Sequence, residues 1–275
     1  MDWLGTYASR LSGTGAAVVL WFLVAAFWEN RRPDRVEGAA AGQRWFANFS
    51  LFALYQGPWV WLAPLLYAAT GPWSLHIPYP RALGLRFLIL VLALDVATYG
   101  LHRLFHAYGW LWRFHAVHHT DTDLDISTTV RHHPIEALAM AVVLAGSGAI
   151  MGATPAEIAA YGMIAFAVQL VAHANVALPP RIASALAWVV VTPAYHRFHH
   201  AREERFSNAN YGEVFLIWDR IFGTLAAPSQ AIAVPTQFGV VAYLAPRFRS
   251  LGWMLVQPFL PRPGVSVPER AAAAE

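Results

Sequence analysis

The chain has 275 residues, 57% of them hydrophobic and only 13% charged, with a mean hydropathy of +0.41, whereas soluble domains carry roughly 25% charged residues. That balance marks a membrane protein. Cysteine is absent, which excludes disulfides, thiolate ligands and iron–sulfur clusters, and a formal net charge of +3 argues against nucleic acid as a partner and fits loops at anionic headgroups.

Residues 11–28 are an uncharged apolar run long enough to span. The arginine-bearing segment 29–35 follows, which predicts a cytoplasmic loop. Because the run ends in Phe27-Trp28 without a small-residue cleavage site, it is expected to be retained rather than removed as a signal peptide. Residues 46–70, interrupted by Pro58 and Pro64, read as a kinked span or as a re-entrant hairpin. Asn48-Phe49-Ser50 matches a glycosylation sequon but abuts a predicted cytoplasmic membrane edge, and it is discounted. His76 stands alone in the following loop and reads as structural.

Residues 85–101 form a third span that runs without a breaker into His102 and His106. At 100° per residue, Asp95, Thr98, Tyr99, His102 and His106 fall on one face. An aspartate in an apolar helix needs a partner. Asp95, two turns before His102, is placed to accept that histidine's second ring N–H; a helix–helix hydrogen bond is the plainer alternative.

Gly109 ends that helix, and the next carries His115, His118 and His119. The polar run 121–129 reads as a loop leading to Arg131-His132-His133-Pro134. A residue before proline avoids the helical region. His133 is therefore expected at a loop end, as a metal ligand or a residue that orients one, with His132 facing solvent. Residues 135–152 and 155–176 read as paired apolar helices, the second capped by Thr154 with Pro155 at its first position. At the end of the first, the stretch from Gly146 to Gly152 fits close helix packing better than a phosphate loop.

Gln169 and His173 return to the membrane face of the earlier histidines. Residues 181–191 read as an interfacial amphipathic run, and Thr192-Pro193 introduces His196, His199 and His200. Residues 208–212 and 218–223, the latter with Asp219, make a polar and aromatic edge able to cover the site. An interfacial helix near residues 245–260 precedes an Ala-rich end expected to be disordered. Five crossings place the amino terminus outside and every histidine block on the cytoplasmic side.

Residues three and four apart share a helix face. One HxxxH and two HxxHH blocks therefore offer eight imidazoles, and since one tetrahedral ion uses at most four ligands, eight imply two metals. A hydrogen-bonded structural histidine explains one such block, but not three interleaved with Trp110, Trp112, Phe114 and Phe198. Imidazole suits iron, zinc, copper and nickel alike, so spacing does not name the metal. Oxidising a hydrocarbon needs a redox metal, which zinc is not. Two rival classes are a zinc-dependent membrane hydrolase, with Glu136 or Glu157 as base but no HExxH pattern, and a histidine-rich metal transporter, which would line its spans with ligands.

In chain order, HRLFH, WRFHAVHH, RHHP, HAN, TPAYHRFHH, NYG and WDRIFGT resemble the fatty acid hydroxylase/sterol desaturase superfamily over about residues 28–225. The resemblance implies an all-α, multi-span membrane bundle with a di-iron centre on its cytoplasmic face. It implies an oxidoreductase that uses O2 and external electrons to hydroxylate or desaturate an acyl or sterol-like C–H bond. Carried over residue by residue, the metal ligands are His102, His106, His115, His118, His119, His173, His196, His199 and His200, with His133 as a further candidate, and Asp95, His133 and Asp219 serve the reaction beside them. Some members have a histidine where this chain has Gln169. The implied cofactors are two iron ions, which zinc can replace in purified protein. The implied partners are a lipid from the bilayer and a separate donor of the cytochrome b5 or ferredoxin type, since no haem-binding segment is visible. Residues 1–227 are expected to form the membrane-embedded unit, and 228–275 an interfacial helix and tail.

Overall fold

A computed structural model describes residues 3–36, 38, 41–75, 77, 79–80, 82–228 and 233–261. His76 and the Ala-rich end lie outside the described residues. The helices that build the bundle and its site are α1 (Trp3–Arg31), α2 (Ala41–Thr70), α3 (Leu83–Ala107), α4 (Gly109–His119), α5 (Pro134–Ile150), α6 (Pro155–His173), α7 (Pro180–Leu186) and α8 (Pro193–His199). No strand forms among the described residues beyond isolated bridges at Val190–Phe215 and Ala201–Phe238.

Helix α2 continues through Pro58 and Pro64 for 30 residues, about 45 Å at 1.5 Å per residue. It is therefore a single helix rather than a hairpin. Of the five expected crossings, α3 and α6 are long and apolar enough to span by length and composition, and α5 is a shorter apolar helix. The outer faces of α3 and α5 leave Leu85, Leu88 and Val142 exposed, the kind of apolar surface that lipid covers.

Helix α5 packs on α2 and α3, and α6 packs on α1, α3 and α8. At Gly148 an added Cβ would lie 2.5 Å from Ile158 Cδ1, so a glycine is what lets α5 approach α6. The start of α6 is fixed by a reciprocal cap: Glu157 N donates to Thr154 Oγ1 at 3.2 Å and Thr154 N donates to Glu157 Oε2 at 2.7 Å. Caps of this kind contribute about 1 kcal/mol. Inside, Val91, Leu94, Tyr161 and Val214 form a core where α3, α6 and the chain after α8 meet.

Residues 121–129, expected as a loop, are instead a buried hub. Arg44 of α2 bonds Asp125 and, at 3.2 Å, Asp121 Oδ2. Arg131 is 0% exposed and donates to Val117 O, Asn48 Oδ1 and Thr120 Oγ1 at 2.8, 3.0 and 2.8 Å. Polarity in the sequence marks a need for hydrogen bonds, which an interior network meets as well as water does. Asn48 of the discounted sequon is itself buried and donates to Ser127 Oγ at 2.9 Å.

The segment after α1 joins the same end of the bundle. Asp34 Oδ2 pairs with Arg197 Nη1 at 2.6 Å, and Arg35 Nη2 donates to Leu124 O at 2.6 Å. The expected helix at 245–260 is broken into turns around one helix, Leu251–Val256, because Pro246 and Pro258 interrupt it. Its Met254 is fully buried against Ala47, Leu51 and Val117.

Candidate metal centre

The helical spacing of the histidines delivers two clusters. His102 and His106 on α3 meet His115 and His119 on α4 and His199 on α8. His118 on α4 meets His173 at the end of α6 and His196 and His200 on and just beyond α8. Within each group the ligand atoms lie within 4.8 Å of one another. The nine imidazoles come from four helices joined by sharp breaks. The turn at Tyr108–Gly109 folds α4 back on α3, and Thr192-Pro193 starts α8.

The ring nitrogens are arranged to bind metal. His102, His115, His118, His173 and His199 each direct Nδ1 to an outer acceptor: Tyr211 O at 2.9 Å, Glu136 Oε1 at 2.7 Å, Arg131 O at 3.3 Å, Gln169 O at 2.9 Å and Ala209 O at 2.8 Å. A proton fixed on Nδ1 leaves the Nε2 lone pair aimed inward. Those inner atoms converge: His102 and His115 Nε2 stand 3.1 Å apart, His115 and His119 Nε2 3.1 Å, His118 and His173 Nε2 3.2 Å, and His173 and His196 Nε2 2.9 Å. Inward nitrogens this close present lone pairs to one another, a repulsion that a bound cation would relieve.

His106 Nε2, His196 Nδ1, His199 Nε2 and both nitrogens of His200 are buried without a hydrogen-bond partner. Such atoms are costly unless something binds them. The set fits divalent transition metals, with nitrogen ligands in both groups.

Charge reinforces that reading. Burial, then the neighbouring imidazoles, pushes His118, His119, His196, His199 and His200 well below the ordinary imidazole value, so they stay neutral and keep lone pairs for a metal. Burial also lowers His115, against the pull of Glu136. For Glu213 burial raises the carboxyl, but the hydrogen bond to His102 together with the pull of His102, His132 and His115 outweighs it and holds the group below the usual range.

Three expected residues stand elsewhere. Asp95 shares the face of His102 but does not reach its ring. Its carboxylate accepts Tyr161 OH at 2.8 Å, Val214 N and Phe215 N at 3.1 Å, and Trp218 Nε1 at 2.8 Å. The chain after α8 threads between the two, so His102 Nδ1 meets Tyr211 O, with Glu213 Oε1 at 3.3 Å. Asp219 accepts Tyr211 N, Gly212 N and Thr224 Oγ1 at 2.8, 3.0 and 2.6 Å. At Gly212 an added Cβ would lie 2.6 Å from Phe215 O, which keeps this turn tight. Both aspartates therefore position the segment that orients His102. His133 lies outside both clusters and caps α5: its Nδ1 accepts from Ile135 N at 3.1 Å and its Nε2 bonds Leu255 O at 3.3 Å.

Successive residues of an extended stretch point to opposite sides, and here the inward one is His132. It was expected to face solvent, yet it stacks on His118 with centroids 4.4 Å apart and bonds Glu136 Oε1 at 2.8 Å. Glu136 and Glu213, which bond ligand histidines, were not among the expected metal-site residues. Gln169 is in neither cluster; its Nε2 donates to Glu213 O at 2.5 Å.

Among the described residues, two cavities reach the centre. One of about 470 Å3, within the usual range for ligand sites, lies between α2, α5 and α6, walled by residues such as Leu54, Leu138, Leu144 and Phe166, and ends at His132, Glu136 and Glu213. The other, of about 400 Å3, is bordered by Arg202, Glu204 and Asn208 and reaches His106, His119 and His200.

Comparison with known proteins places these features in a lineage. Ornithine lipid hydroxylase OlsE of Rhizobium tropici is 33% identical over 173 residues, 62% of this chain and 50% of that protein. Alkylglycerol monooxygenase of Homo sapiens is 27% identical over 188 residues, 67% of this chain and 35% of the human protein. A very-long-chain aldehyde decarbonylase, GL1-9 of Oryza sativa subsp. japonica, is 27% identical over 240 residues, 82% and 92% of the two chains. The chain thus spans half or less of the first two relatives. No solved structure matches it. The model of the family described as fatty acid hydroxylase matches residues 87–224, a stretch that holds every histidine of both clusters, and the chain belongs to that family.

Proposed function

We propose that this protein is a multi-pass membrane oxidoreductase that holds two iron ions and uses O2 to hydroxylate or desaturate a lipid. The observation that carries this reading is the pairing of two inward-facing imidazole clusters with an apolar cavity that ends beside them. Relatives named as a lipid hydroxylase and an alkylglycerol monooxygenase support lipid oxidation.

Bound iron would supply the redox chemistry that an unactivated C–H bond demands. The chain's own residues do the rest. Glu136 and the carbonyls of Tyr211, Arg131, Gln169 and Ala209 hold the imidazole protons on Nδ1 and keep the ring planes fixed. Leu54, Leu138, Leu144 and Phe166 wall a dry path for an alkyl chain. The second cavity, at His106, His119 and His200, carries Arg202, Glu204 and Asn208 on its border and offers water and protons a separate approach.

The arginine-bearing segment after α1 is tied to this end of the bundle through Arg35 and Asp34, and by the positive-inside tendency that supports a cytoplasmic centre served by an external electron donor. Zinc can occupy the sites in overexpressed protein, because such ligand sets favour it over ferrous iron. Lipid extracts from cells with and without the protein test the reading: a lipid gaining one oxygen or losing two hydrogens is expected. Unchanged extracts from cells holding iron-loaded protein and a reductant would refute it.

A further inference from the structure

The apolar cavity ends on a floor whose hydrogen bonding is one-sided. Glu136 is 2% exposed. Its Oε1 is committed to His115 and His132, while its Oε2 is buried with no partner. Glu213 stands at the same end, 3.3 Å from His102 Nδ1. Of the polar hydrogens nearby, that of Thr129 goes to Gln169 O, that of Tyr161 to Asp95 and that of His132 to Glu136, and the uncharged side chains of Tyr55 and Gln56 also line the cavity. Among the described residues, no arginine lines the cavity. A ligand headed by a carboxylate would meet two acids and no guanidinium there, whereas one headed by a donor would satisfy a buried oxygen that is costly to leave bare.

We infer that the cavity takes an amphiphile presenting a hydroxyl or ammonium group to Glu136 and Glu213, and that it discriminates against a free fatty acid. The inference rests on the cavity being the substrate site. The alkyl part lies along Leu138, Ala141, Leu144 and Phe166. Because both acids bond histidines of the first cluster, the carbons beside the donor group are those nearest the metals.

The test is equilibrium binding of hexadecanol, hexadecylamine, hexadecanoate and hexadecane to the metal-loaded full chain in nanodiscs, corrected for empty nanodiscs. At about pH 8 the acid is ionised and the amine protonated. The alcohol and the amine are expected to bind at least about 10-fold more tightly than the acid or the alkane, the scale of a buried charge-assisted hydrogen bond. Glu213→Gln should shrink the amine's advantage severalfold. Ala165→Trp, which fills the cavity, should abolish saturable binding of all four. Hexadecanoate binding as tightly as the alcohol, or binding that survives Ala165→Trp, overturns the inference. Preference for the amine alone sustains it and assigns an ammonium group. Since binding is read without turnover, donor-selective binding without any oxidised product would sink the oxidase reading alone, and preferred oxidation of hexadecanoate would sink this inference alone.

Discussion

The two histidine clusters are assembled alike and held differently. In each HxxHH block the first and last histidines join one cluster and the one between them crosses to the other: His115 and His119 with His199, and His196 and His200 with His118. The pair His102 and His106 completes the first cluster. At the corresponding place in the second, only His173 is a histidine, and Gln169 one turn before it turns its amide to Glu213 O. The first cluster is oriented by the side chains of Glu136, Glu213 and Asn208 as well as by the carbonyls of Tyr211 and Ala209. The second is oriented by the carbonyls of Arg131 and Gln169. One substitution removes a side-chain acceptor but not a carbonyl. The five-histidine cluster should therefore tolerate losing a ligand yet respond to changes around it, and the four-histidine cluster should do the reverse.

The largest effect expected follows from ligand number. His118→Ala leaves the second cluster three imidazoles, whereas His199→Ala leaves the first cluster four. Elemental analysis should find the metal content of His118→Ala falling from two ions per chain to about one, while His199→Ala keeps both, since four nitrogen ligands satisfy one ion. Lipid oxidation should drop in both, by more than the roughly 10–100-fold typical of changes around the ligands. The opposite order of metal loss would break the comparison.

Acid should act next, and on both clusters. The buried imidazoles of His118, His119, His196, His199 and His200 have lowered folded-state values. As pH falls below about 6.5 the unfolded chain takes up protons that the folded chain refuses. Stability of the metal-free protein is therefore whole above that point and declines below it. Each such histidine costs up to about 1.4 kcal/mol per pH unit. Thermal melts of metal-free protein should shift downward between about pH 6.5 and 5, and metal-loaded protein should hold until its ions are released. A flat metal-free profile would mean that the clusters are open to water.

Glu136→Gln probes the surroundings of the first cluster. Its Oε1 accepts from His115 and His132 at once, and an amide supplies a weaker, uncharged acceptor. Affinity at one site should fall about 10–100-fold in a metal titration, with the second site unchanged. Equal weakening at both would show that the clusters do not respond separately.

The pair His102 and His106 was legible because it depends on local helical spacing alone, whereas spacing allows His115 to pair with His118 or with His119, and only the fold selects His119. The anchors were not, because they join residues far apart in sequence, as His102 does with Tyr211, 109 positions on. Asp95 shows the boundary. Its cost inside an apolar helix correctly demanded donors, yet which donors arrive depends on how the chain after α8 is threaded. The same cost argument applies to Glu136, in the first turn of the apolar α5, and would have marked it. Nothing local distinguishes Glu213. Asp95→Asn should accordingly act on the fold more than on the metals: an amide NH2 facing two donors loses about 1–3 kcal/mol in thermal unfolding, with metal affinity changed less than about 10-fold. A large metal effect with unchanged stability would restore Asp95 to the histidine it was first assigned.

The smallest single effect, and the sharpest test of the shared design, is expected at Gln169. It lies one turn before His173 as His102 lies one turn before His106, on the same helical face, and it is already buried at the edge of the second cluster. Gln169→His alone should leave two ions per chain and change affinity only a few-fold, because four ligands already suffice there and the bond to Glu213 O is lost. In the His118→Ala background the same change should matter. Three imidazoles become four, and the second ion should return, taking metal content from about one per chain back to about two. Rescue at position 169 but not by a histidine placed at Thr129, which also borders the cavity, would show that helical register, rather than local histidine concentration, builds the site. Failure to rescue, with the double variant still folded by thermal melt, would mean that the Gln169 side chain is held toward Glu213 by the backbone and that the two clusters do not share one template.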